Sequence, residues 1–473
     1  MGGSAWADQG GYEMHGSNRR RLVALLAGAA LVAAACGSDD NTSTDTTAAT
    51  EAATDTSAAP ADTAATATEP AGTAPAGTEP ADTEPAGTEA PADDPLGTPT
   101  AATGDPVKIG LITESGGEAI SSQSQLTETG AQIAVDYVNE YRGGLAGQPI
   151  ELVICGNKAS ASGASDCANQ MVEQDVAAVV WPFTGFGPQQ VPIITGAGIP
   201  IIAVSGSSTE ELTTPGVFII TGGYVGTLGA YAQHSADNAV EKFSMITIDV
   251  PSATQAAEGI GSMVFGNAGV DYSVVKVAPG TPDMTAQVQA AISDGATALG
   301  VTGDVTFCTS FFQAYQALAL DVPKYIIQPC VDPTVIDSLS DVLDGSILAT
   351  TVATDEDTDV YAAMVDKYGD GTVDPNPAIS AGVSSGVATI MNLWNLMDGV
   401  AGPITATVAT DQAKTAIDTP MWLSGGLTFT CNGTAIPILP NLCSAQFQIG
   451  TVDATGAVSG LEPVDASALF TTG

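Results

Sequence analysis

Short apolar runs alternate with helix-patterned stretches along most of the chain from Val107 onward. The first run, Val107 to Ile112, is typical of a buried strand, and apolar residues then recur at helical spacing as far as Tyr141. Further strands are predicted at Ile150 to Ile154, Ala177 to Trp181, Ile199 to Val204, Phe243 to Ile248, Ser273 to Val277, Ala298 to Val301, Tyr325 to Gln328 and Ser346 to Thr350.

This alternation predicts an α/β fold built on parallel sheets, because a strand that is apolar throughout must be covered on both faces. The strands fall into two runs, which predicts two doubly wound lobes. Ligands of such open sheets bind beyond the carboxyl ends of the strands. We therefore expect the binding site in the cleft between the lobes.

The amino terminus has the pattern of an export signal. The basic cluster Arg19–Arg21 precedes an apolar run from Leu22 to Ala35, which is shorter than the roughly 20 residues that span a bilayer. Small residues then lead to Cys36 in a sequence that resembles a bacterial lipobox. We expect residues 1–35 to be a signal peptide and Cys36 to carry a lipid; an ordinary signal peptide without lipidation is the alternative.

Residues 36–105 have the composition of a tether. The segment consists mainly of Thr, Ala, Pro, Glu and Asp, and from Asp39 onward it contains no aromatic residue, Lys or Arg. Such a segment cannot bury enough apolar surface to offset its ordering entropy, and prolines and like charges keep it extended. We predict a disordered linker that holds the folded domain away from a membrane. The same composition can also carry sugars on threonine.

Acidic residues strongly outnumber basic ones, with 53 Asp and Glu against 11 Lys and Arg and a formal net charge of -42. A surface this negative repels nucleic-acid phosphates and anionic lipid headgroups, so neither is an expected partner. His15 and His234 are the only histidines. Because histidine is the usual general base and metal ligand near neutral pH, the sequence disfavours an enzyme, and we expect no cofactor and no metal.

Several weak motifs in a consistent order resemble the type I periplasmic binding proteins, and among them the branched-chain amino-acid receptors of ABC transporters. The matching stretches are Val107 to Thr113, Thr129 to Asn139, Gly198 to Ser208 and the small-residue helix from Ala378 to Leu396. The resemblance implies two lobes joined by a three-segment hinge. It places lobe 1 at 107–223 plus 351–408 and lobe 2 at 224–350 plus 421–460.

The resemblance also implies a ligand site on lobe 1. In the family, hydroxyls and backbone N–H groups after two strands bind the carboxylate of the ligand. The matching positions are Thr184, Ser205, Gly206 and Ser207. Small hydroxyl residues at strand ends suit an anion on physical grounds as well. The alternative is that the serine-rich stretch is only a turn leading to the N-cap of the next helix.

Aromatic residues cluster beside Thr184. Trp181, Phe183 and Phe186 are candidates to form the wall of an apolar pocket, and we include Phe183 among the ligand-binding residues. The alternative is that these aromatic residues belong to the buried core, and this alternative applies to Trp181 in particular.

Lobe 2 departs from the family pattern. Cys330 stands where the amino-acid receptors carry the acidic residue that binds the ammonium group of the ligand. Asp304 and Asp332 are the nearby acids that could contact a cation instead. The departure places the ligand identity in question, while the implied fold is unaffected.

The remaining cysteines suggest disulfides, because exported chains with an even number of cysteines usually form them. Proximity in the sequence favours one pairing over the others: Cys155–Cys167, Cys308–Cys330 and Cys431–Cys443. A metal site or reactive thiol is the competing interpretation, but the clustered spacing and partner histidines that it needs are missing.

Two short motifs are rejected. Gly382 to Gly386 matches G-x-S-x-G, but it falls inside a predicted helix and no histidine follows it. The segment from Asp366 to Asp374 lacks the spacing and terminal glutamate of a calcium loop.

The sequence therefore predicts a monomeric, exported protein, lipid-anchored to the outer face of the cell membrane, that binds a small molecule for an ABC permease. An amino acid or related small carboxylate is the expected ligand. A lipoprotein that senses its ligand and signals to a partner is the alternative, and an extracellular hydrolase is a third hypothesis that lacks a catalytic constellation.

Overall fold

The computed structural model describes residues 94–117, 121–353 and 356–472. The predicted signal peptide, Cys36 and most of the predicted tether lie outside the described residues. The last part of that tether is described and is packed on the domain: Leu96 is buried, and the Ala102 N–H donates to the Asn139 carbonyl at 2.8 Å. Packing of the chain thus begins ahead of the predicted boundary at 107, because Leu96 is an apolar residue that the first core can bury.

The first half of the chain forms a five-stranded sheet in which all strands are parallel, in the order β2-β1-β3-β4-β5. Strands β1, β3, β4 and β5 are buried almost throughout, as expected of a parallel sheet with helices on both faces, and only the edge strand β2 is largely accessible. The elements are β1 Val107–Thr113, α1 Ser121–Tyr141, β2 Ile150–Gly156, α2 Ala161–Glu173, β3 Ala178–Trp181, α3 Gly187–Gly196, β4 Ile201–Ala203, α4 Thr209–Thr213 and β5 Val217–Ile219.

The second half forms a seven-stranded sheet in the order β14-β13-β10-β9-β8-β6-β7. Its first elements are α5 Gly223–Asp237, β6 Lys242–Ile248, α6 Pro251–Gln255 with a π-helical turn Ala256–Gly261, α7 Ser262–Ala268, β7 Asp271–Val277, α8 Thr285–Ser293 and β8 Ala298–Thr302. The next are α9 Val305–Ala317, β9 Lys324–Ile326, a 3-10 turn Gln328–Cys330, α10 Pro333–Leu343 and β10 Ser346–Thr350.

The chain then returns to the first sheet before it completes the second. The elements are α11 Glu356–Tyr368, α12 Ala381–Met397, α13 Ala406–Thr415, the short pair β11 Thr419–Pro420 and β12 Thr428–Phe429, β13 Gln446–Val452, β14 Val458–Asp465 and a 3-10 turn Ser467–Leu469. Helices α11 to α13 pack into the core of the first sheet, whereas β13 joins β10 of the second. The chain thus crosses between the sheets after β5, after β10 and before β13, which confirms the α/β fold with two lobes and a three-segment hinge.

Every predicted strand is present, but five strands of the described residues were not predicted: β5, the short pair β11 and β12, β13 and β14. The strand β5 has only three residues, which is too short for a clear pattern. The strands β13 and β14 are antiparallel, and β14 is an edge strand with mostly exposed or half-buried residues, so it lacks the apolar run on which the prediction relied.

The exact limits of the lobes stay a prediction, but one segment is placed by its contacts. Leu442 pairs with Ile219 at the edge of the first sheet, and the Asn441 amide donates to the carbonyls of Glu211 and Thr214 at 2.8 Å. Residues just before β13 therefore contact the first sheet, although the predicted second lobe resumes at 421. Gln446, the first residue of β13, is where the second sheet resumes.

The three disulfides form with the predicted pairing: Cys155–Cys167, Cys308–Cys330 and Cys431–Cys443. Cys308 and Cys330 are completely buried and connect the start of α9 to the 3-10 turn after β9. Both cysteines follow the carboxyl ends of neighbouring strands, which brings these two residues, 22 positions apart, within reach of each other.

Helices α1 and α12 pack at very short range because glycines remove the side chains between them. A Cβ on Gly130 would lie 2.0 Å from the Val383 carbonyl oxygen, and a Cβ on Gly386 would lie 2.1 Å from the Thr127 carbonyl oxygen. Gly386 belongs to the G-x-S-x-G match, and this match lies within α12, which confirms that it is a packing feature.

We predict that Gly386→Ala lowers the free energy of unfolding by about 2 kcal/mol or more, because the added methyl group would force the two helices apart. Urea denaturation followed by circular dichroism measures the change. Gly266→Ala in α7 is the control, since a Cβ there contacts nothing within 4 Å and alanine favours helix by up to about 1 kcal/mol. Equal stability of the Gly386 variant and the wild type would contradict the close contact.

Candidate functional site

All strands of the first sheet are parallel, so their carboxyl ends meet at a single edge. The loops that follow β3 and β4 are directly connected there: the Ser205 N–H donates to the Pro182 carbonyl at 2.9 Å. The predicted ligand residues of lobe 1, which are Phe183, Thr184, Ser205, Gly206 and Ser207, therefore lie on two neighbouring loops.

The hydroxyl of Thr184 is used within the protein. Thr184 is 2% exposed; its Oγ1 donates to Gln190 Oε1 at 3.1 Å and accepts the Phe186 N–H at 3.1 Å. Gln190 lies on α3 and is completely buried, and its Nε2 has no hydrogen-bond partner in the described part of the chain. Thr184 thus holds the loop that leads into α3, and a contact between Thr184 and a ligand stays a prediction.

Ser205 and Ser207 offer free hydroxyls. Both residues are half-buried, and neither hydroxyl has a hydrogen-bond partner among the residues that the structure describes. Gly206 between them is buried, and a Cβ there would lie 2.7 Å from the Ile219 side chain. The contact of Gly206 with Ile219 therefore fixes the loop, and the two hydroxyls lie at the edge of the sheet.

The serine-rich stretch also leads into an N-cap, as the alternative interpretation proposed, and the capping residue is Ser208. Ser208 Oγ accepts the Glu211 N–H at 3.2 Å, and the Ser208 N–H donates to the Glu211 carboxylate in return, which completes a capping box. The Ser208 hydroxyl also donates to Glu211 Oε2 at 2.8 Å. The same carboxylate oxygen accepts the N–H groups of Ser207 at 3.2 Å and Ser208 at 3.0 Å. Two backbone N–H groups that could have bound a ligand anion are thus occupied by Glu211.

Glu211 is completely buried, which is unusual for a carboxyl group. Burial raises the pKa of Glu211, and the hydrogen bonds from Ser208 and Ser207, with the nearby Trp181 indole, oppose that rise. Among the residues that the structure describes, neither the second carboxyl oxygen, Oε1, nor Trp181 Nε1 has a hydrogen-bond partner. Ser208-x-x-Glu211 is a readable capping-box signal in the sequence, but the sequence analysis did not use it.

The three aromatic residues near Thr184 differ in their exposure to solvent. Trp181 is completely buried, so it belongs to the core, as its alternative interpretation proposed. Phe183 is 48% exposed, which makes it one of the few large apolar side chains that face solvent among the described residues. Phe186 is half-buried at the N-terminus of α3. Phe183 alone is available as a wall for a ligand.

Glu114 is a further acidic residue at this edge that the sequence analysis missed. It directly follows β1, and its Oε1 accepts the Gly185 N–H at 2.7 Å. Burial raises the pKa of Glu114, and the hydrogen bond from Gly185 opposes the rise. On either side of it, the hydroxyls of Thr113 and Ser115 both donate to Glu128 of α1, at 2.6 and 2.5 Å.

The predicted residues of lobe 2 have structural tasks of their own. Asp304 is the N-cap of α9 and accepts the Phe307 N–H at 2.8 Å, and Asp332 is the N-cap of α10 and accepts the Thr334 N–H at 2.9 Å. Both follow strand ends of the second sheet, as predicted. Within the described part of the chain, no hydrogen bond or ion pair connects either acid to the serine-rich loop.

The second sheet also carries buried hydroxyl groups near the carboxyl ends of its strands. Thr247 and Thr302 are paired neighbours at the ends of β6 and β8, and both are buried. Burial raises the pKa of Tyr224 in α5 to about 12, and the nearby hydroxyls of Thr302 and Thr247 oppose the rise. These hydroxyls were not predicted, because isolated threonines in apolar strands give no distinct pattern.

The described residues contain no group of three or more His, Cys, Asp or Glu side chains placed to hold a metal ion. None of the helices in residues 94–117, 121–353 and 356–472 combines the length and apolarity needed to cross a bilayer. The candidate site therefore consists of fixed loops, free hydroxyls, an exposed aromatic ring and half-buried carboxylates at the carboxyl edge of a parallel sheet.

Two α/β lobes joined by three crossings, with such loops at the sheet edge, define a two-lobed binding protein. The family model described as periplasmic binding protein matches residues 106–437. The chain belongs to the periplasmic binding protein family, and its fold is the type I form.

Solved structures agree with this assignment. A leucine-binding protein from Thermotoga maritima is 17% identical, with 76% of this chain and 99% of that chain covered and a TM-score of 0.60. A fatty acid ABC transporter substrate-binding protein from Thermomonospora curvata is 14% identical, with 78% and 95% covered and a TM-score of 0.63.

A third structure, an ABC transporter solute-binding protein from Rhodopseudomonas palustris in complex with 3,4-dihydroxybenzoic acid, is 16% identical, with 77% and 98% covered and a TM-score of 0.59. No curated protein matches the sequence significantly. At these identities the likeness shows the fold, and the three named ligand classes differ from one another.

We predict that Glu211 makes the protein less stable as the pH rises. Its pKa is raised in the folded state, so the folded protein binds the proton more tightly than the unfolded chain does. The free energy of unfolding should therefore fall as the pH rises from the ordinary value of 4.5 to the folded pKa, and stay lowered above it.

Urea denaturation of the wild type and of Glu211→Gln between pH 4.5 and 8 tests this, because the variant should lack this part of the pH dependence. Glu210→Gln, which removes a carboxylate from the same helix and leaves the capping box intact, should keep the wild-type profile. Parallel pH profiles for the wild type and Glu211→Gln would contradict the assignment.

Proposed function

We propose that this protein is the substrate-binding lipoprotein of an ABC importer, and that it captures an amino acid or related small carboxylate between its two lobes. The lobes are proposed at 107–223 plus 351–408 and 224–350 plus 421–460. Ligand binding would favour the closed arrangement of the lobes, and the closed form would dock on the membrane permease.

The observation that carries this proposal is the pair of free hydroxyls on Ser205 and Ser207. A half-buried hydroxyl without a protein partner can donate its hydrogen bond to a ligand, and a bond to a charged acceptor contributes more than a bond to a neutral one. The loop is held rigidly by Gly206 and by the N-cap below it, so little conformational entropy is lost on binding.

The exposed ring of Phe183 supports the same site. It lies on the neighbouring loop, next to Thr184, and 48% of it is exposed although most aromatic residues of the domain are buried. An apolar wall beside a few fixed polar groups is the usual composition of a small-molecule site. We propose contacts from Phe183, Thr184, Ser205, Gly206 and Ser207 on lobe 1, with Asp304 and Asp332 on lobe 2.

The cellular setting follows from the amino-terminal pattern. We propose that the protein is exported, that Cys36 carries the lipid, and that residues 36 onward act as a tether at the outer face of the membrane. We also propose that it acts as a monomer and is not an enzyme, since its task is to hold a solute and deliver it unchanged.

A ligand screen tests the proposal directly. Mass spectrometry of the purified protein identifies any small molecule that copurifies, and thermal shift measurements then compare amino acids, aromatic acids and fatty acids. A ligand at 100 times its dissociation constant should stabilise the protein by about 2.7 kcal/mol. Chemical conversion of a bound compound would contradict the non-enzymatic function, and failure of every compound to stabilise the protein would contradict the proposed ligand classes.

We predict that the double variant Ser205→Ala/Ser207→Ala binds the identified ligand at least about tenfold more weakly, because a hydrogen bond to a charged group contributes about 1.5–3 kcal/mol. Isothermal titration calorimetry measures the affinity. The melting temperature without ligand should not change, since neither hydroxyl has a protein partner among the described residues. Thr213→Ala, on the exposed surface of α4, is the control. An unchanged dissociation constant in the double variant would remove this site.

A further inference from the structure

We propose that Glu114 binds a cationic group of the ligand, and that the ligand is therefore an amine-bearing molecule, such as a zwitterionic amino acid, rather than a simple carboxylic acid. This inference rests on the solute-binding function proposed above and narrows its ligand class. It places an acidic recognition residue on the first sheet, at the same edge as the hydroxyls of Ser205 and Ser207.

The carboxylate of Glu114 is fixed at the proposed site. Its Oε1 accepts the Gly185 N–H at 2.7 Å, and Gly185 follows Thr184 directly. A Cβ on Gly185 would lie 3.3 Å from this oxygen, so glycine permits the close approach. The second oxygen of Glu114 has no hydrogen-bond partner within the described ranges, and it is available to a ligand.

None of the ion pairs in the described part of the chain compensates the charge on Glu114. The residue is half-buried, and the ion pairs of the described residues are formed by Lys242, Lys276 and Lys367 with other acids. The hydroxyls of Thr113 and Ser115 are committed to Glu128. A partly desolvated carboxylate without a counter-charge is costly, and a ligand ammonium would remove that cost.

The position that the family resemblance gives to the acidic residue is closed in this protein. Cys330 is completely buried and bonded to Cys308, so it cannot contact a ligand. Asp304 and Asp332 each use one carboxylate oxygen to cap a helix. Glu114 is the carboxylate whose position is tied directly to the loop of Thr184.

The edge is also poorly suited to a ligand with only negative charge. Lys158, which is exposed, is the one basic residue in the described segments that directly follow the strands of either parallel run. Glu211 already occupies the N–H groups of Ser207 and Ser208. A ligand with only a carboxylate would thus be repelled by the nearby acidic residues and could bind to only two hydroxyls. A zwitterion would instead place its ammonium group on Glu114 and its carboxylate on the hydroxyls.

Matched pairs of compounds test the inference. The wild-type protein, Glu114→Gln and Glu128→Gln are titrated by calorimetry and thermal shift with the twenty proteinogenic amino acids and with their deaminated acids, such as leucine against 4-methylpentanoate. Glu114→Gln can still accept the Gly185 N–H, so the loop should stay in place. Glu128→Gln removes one negative charge from α1, next to Thr113 and Ser115, and is the matched control.

We expect at least one amino acid to bind the wild type at least tenfold more tightly than its deaminated acid. We expect Glu114→Gln to lose most of that preference, and Glu128→Gln to keep it. Equal affinity of the wild type for an amino acid and its deaminated acid would overturn the inference, as would equal losses in the two variants, while leaving solute binding intact. Failure of every compound to bind the wild type would instead reject the proposed function, and the inference with it.

Discussion

The single direction of the strands in the first sheet determines where this protein can bind anything. Because all five strands are parallel, every loop at their carboxyl ends meets its neighbours, and residues distant in sequence become adjacent. Glu114, Thr184 and Ser205 follow three different strands, and they are linked at this edge through Gly185 and Pro182. An antiparallel sheet would have distributed the same residues over two opposite edges.

The loop after β4 depends in turn on a buried carboxyl group. Glu211 receives two backbone N–H groups and a serine hydroxyl, and these bonds hold the serine-rich loop in a single conformation. Burying the carboxyl disfavours its charge, so the loop is held at some expense of stability. The result is a fixed loop whose remaining hydroxyls, on Ser205 and Ser207, have no hydrogen-bond partner among the described residues. Glu211 therefore fixes the shape of the candidate site through its hydrogen bonds, while it is itself buried.

The strands and the disulfides could be predicted because their signals are local. Buried parallel strands appear as apolar runs, and the three cysteine pairs are each near in sequence. The strand β14 escaped because an exposed edge strand has no such run. The roles of Glu114 and Glu211 could not be predicted for a different reason. In a sequence, an acidic residue after a strand or in a short helix is normally expected to be exposed to solvent. Only the three-dimensional packing shows that these two residues are buried or half-buried and held in place.

The acidity of the chain and the chemistry of its site are connected. With a formal net charge of -42, the protein surface attracts cations and repels anions at long range. At high ionic strength that field is screened within a few ångströms, so only partly buried charges keep their influence on a ligand. Glu114 is such a charge, since it is half-buried and held by Gly185. A ligand that joins an ammonium group to a carboxylate can satisfy this residue and the two free hydroxyls together, which neither a simple acid nor a simple amine can do.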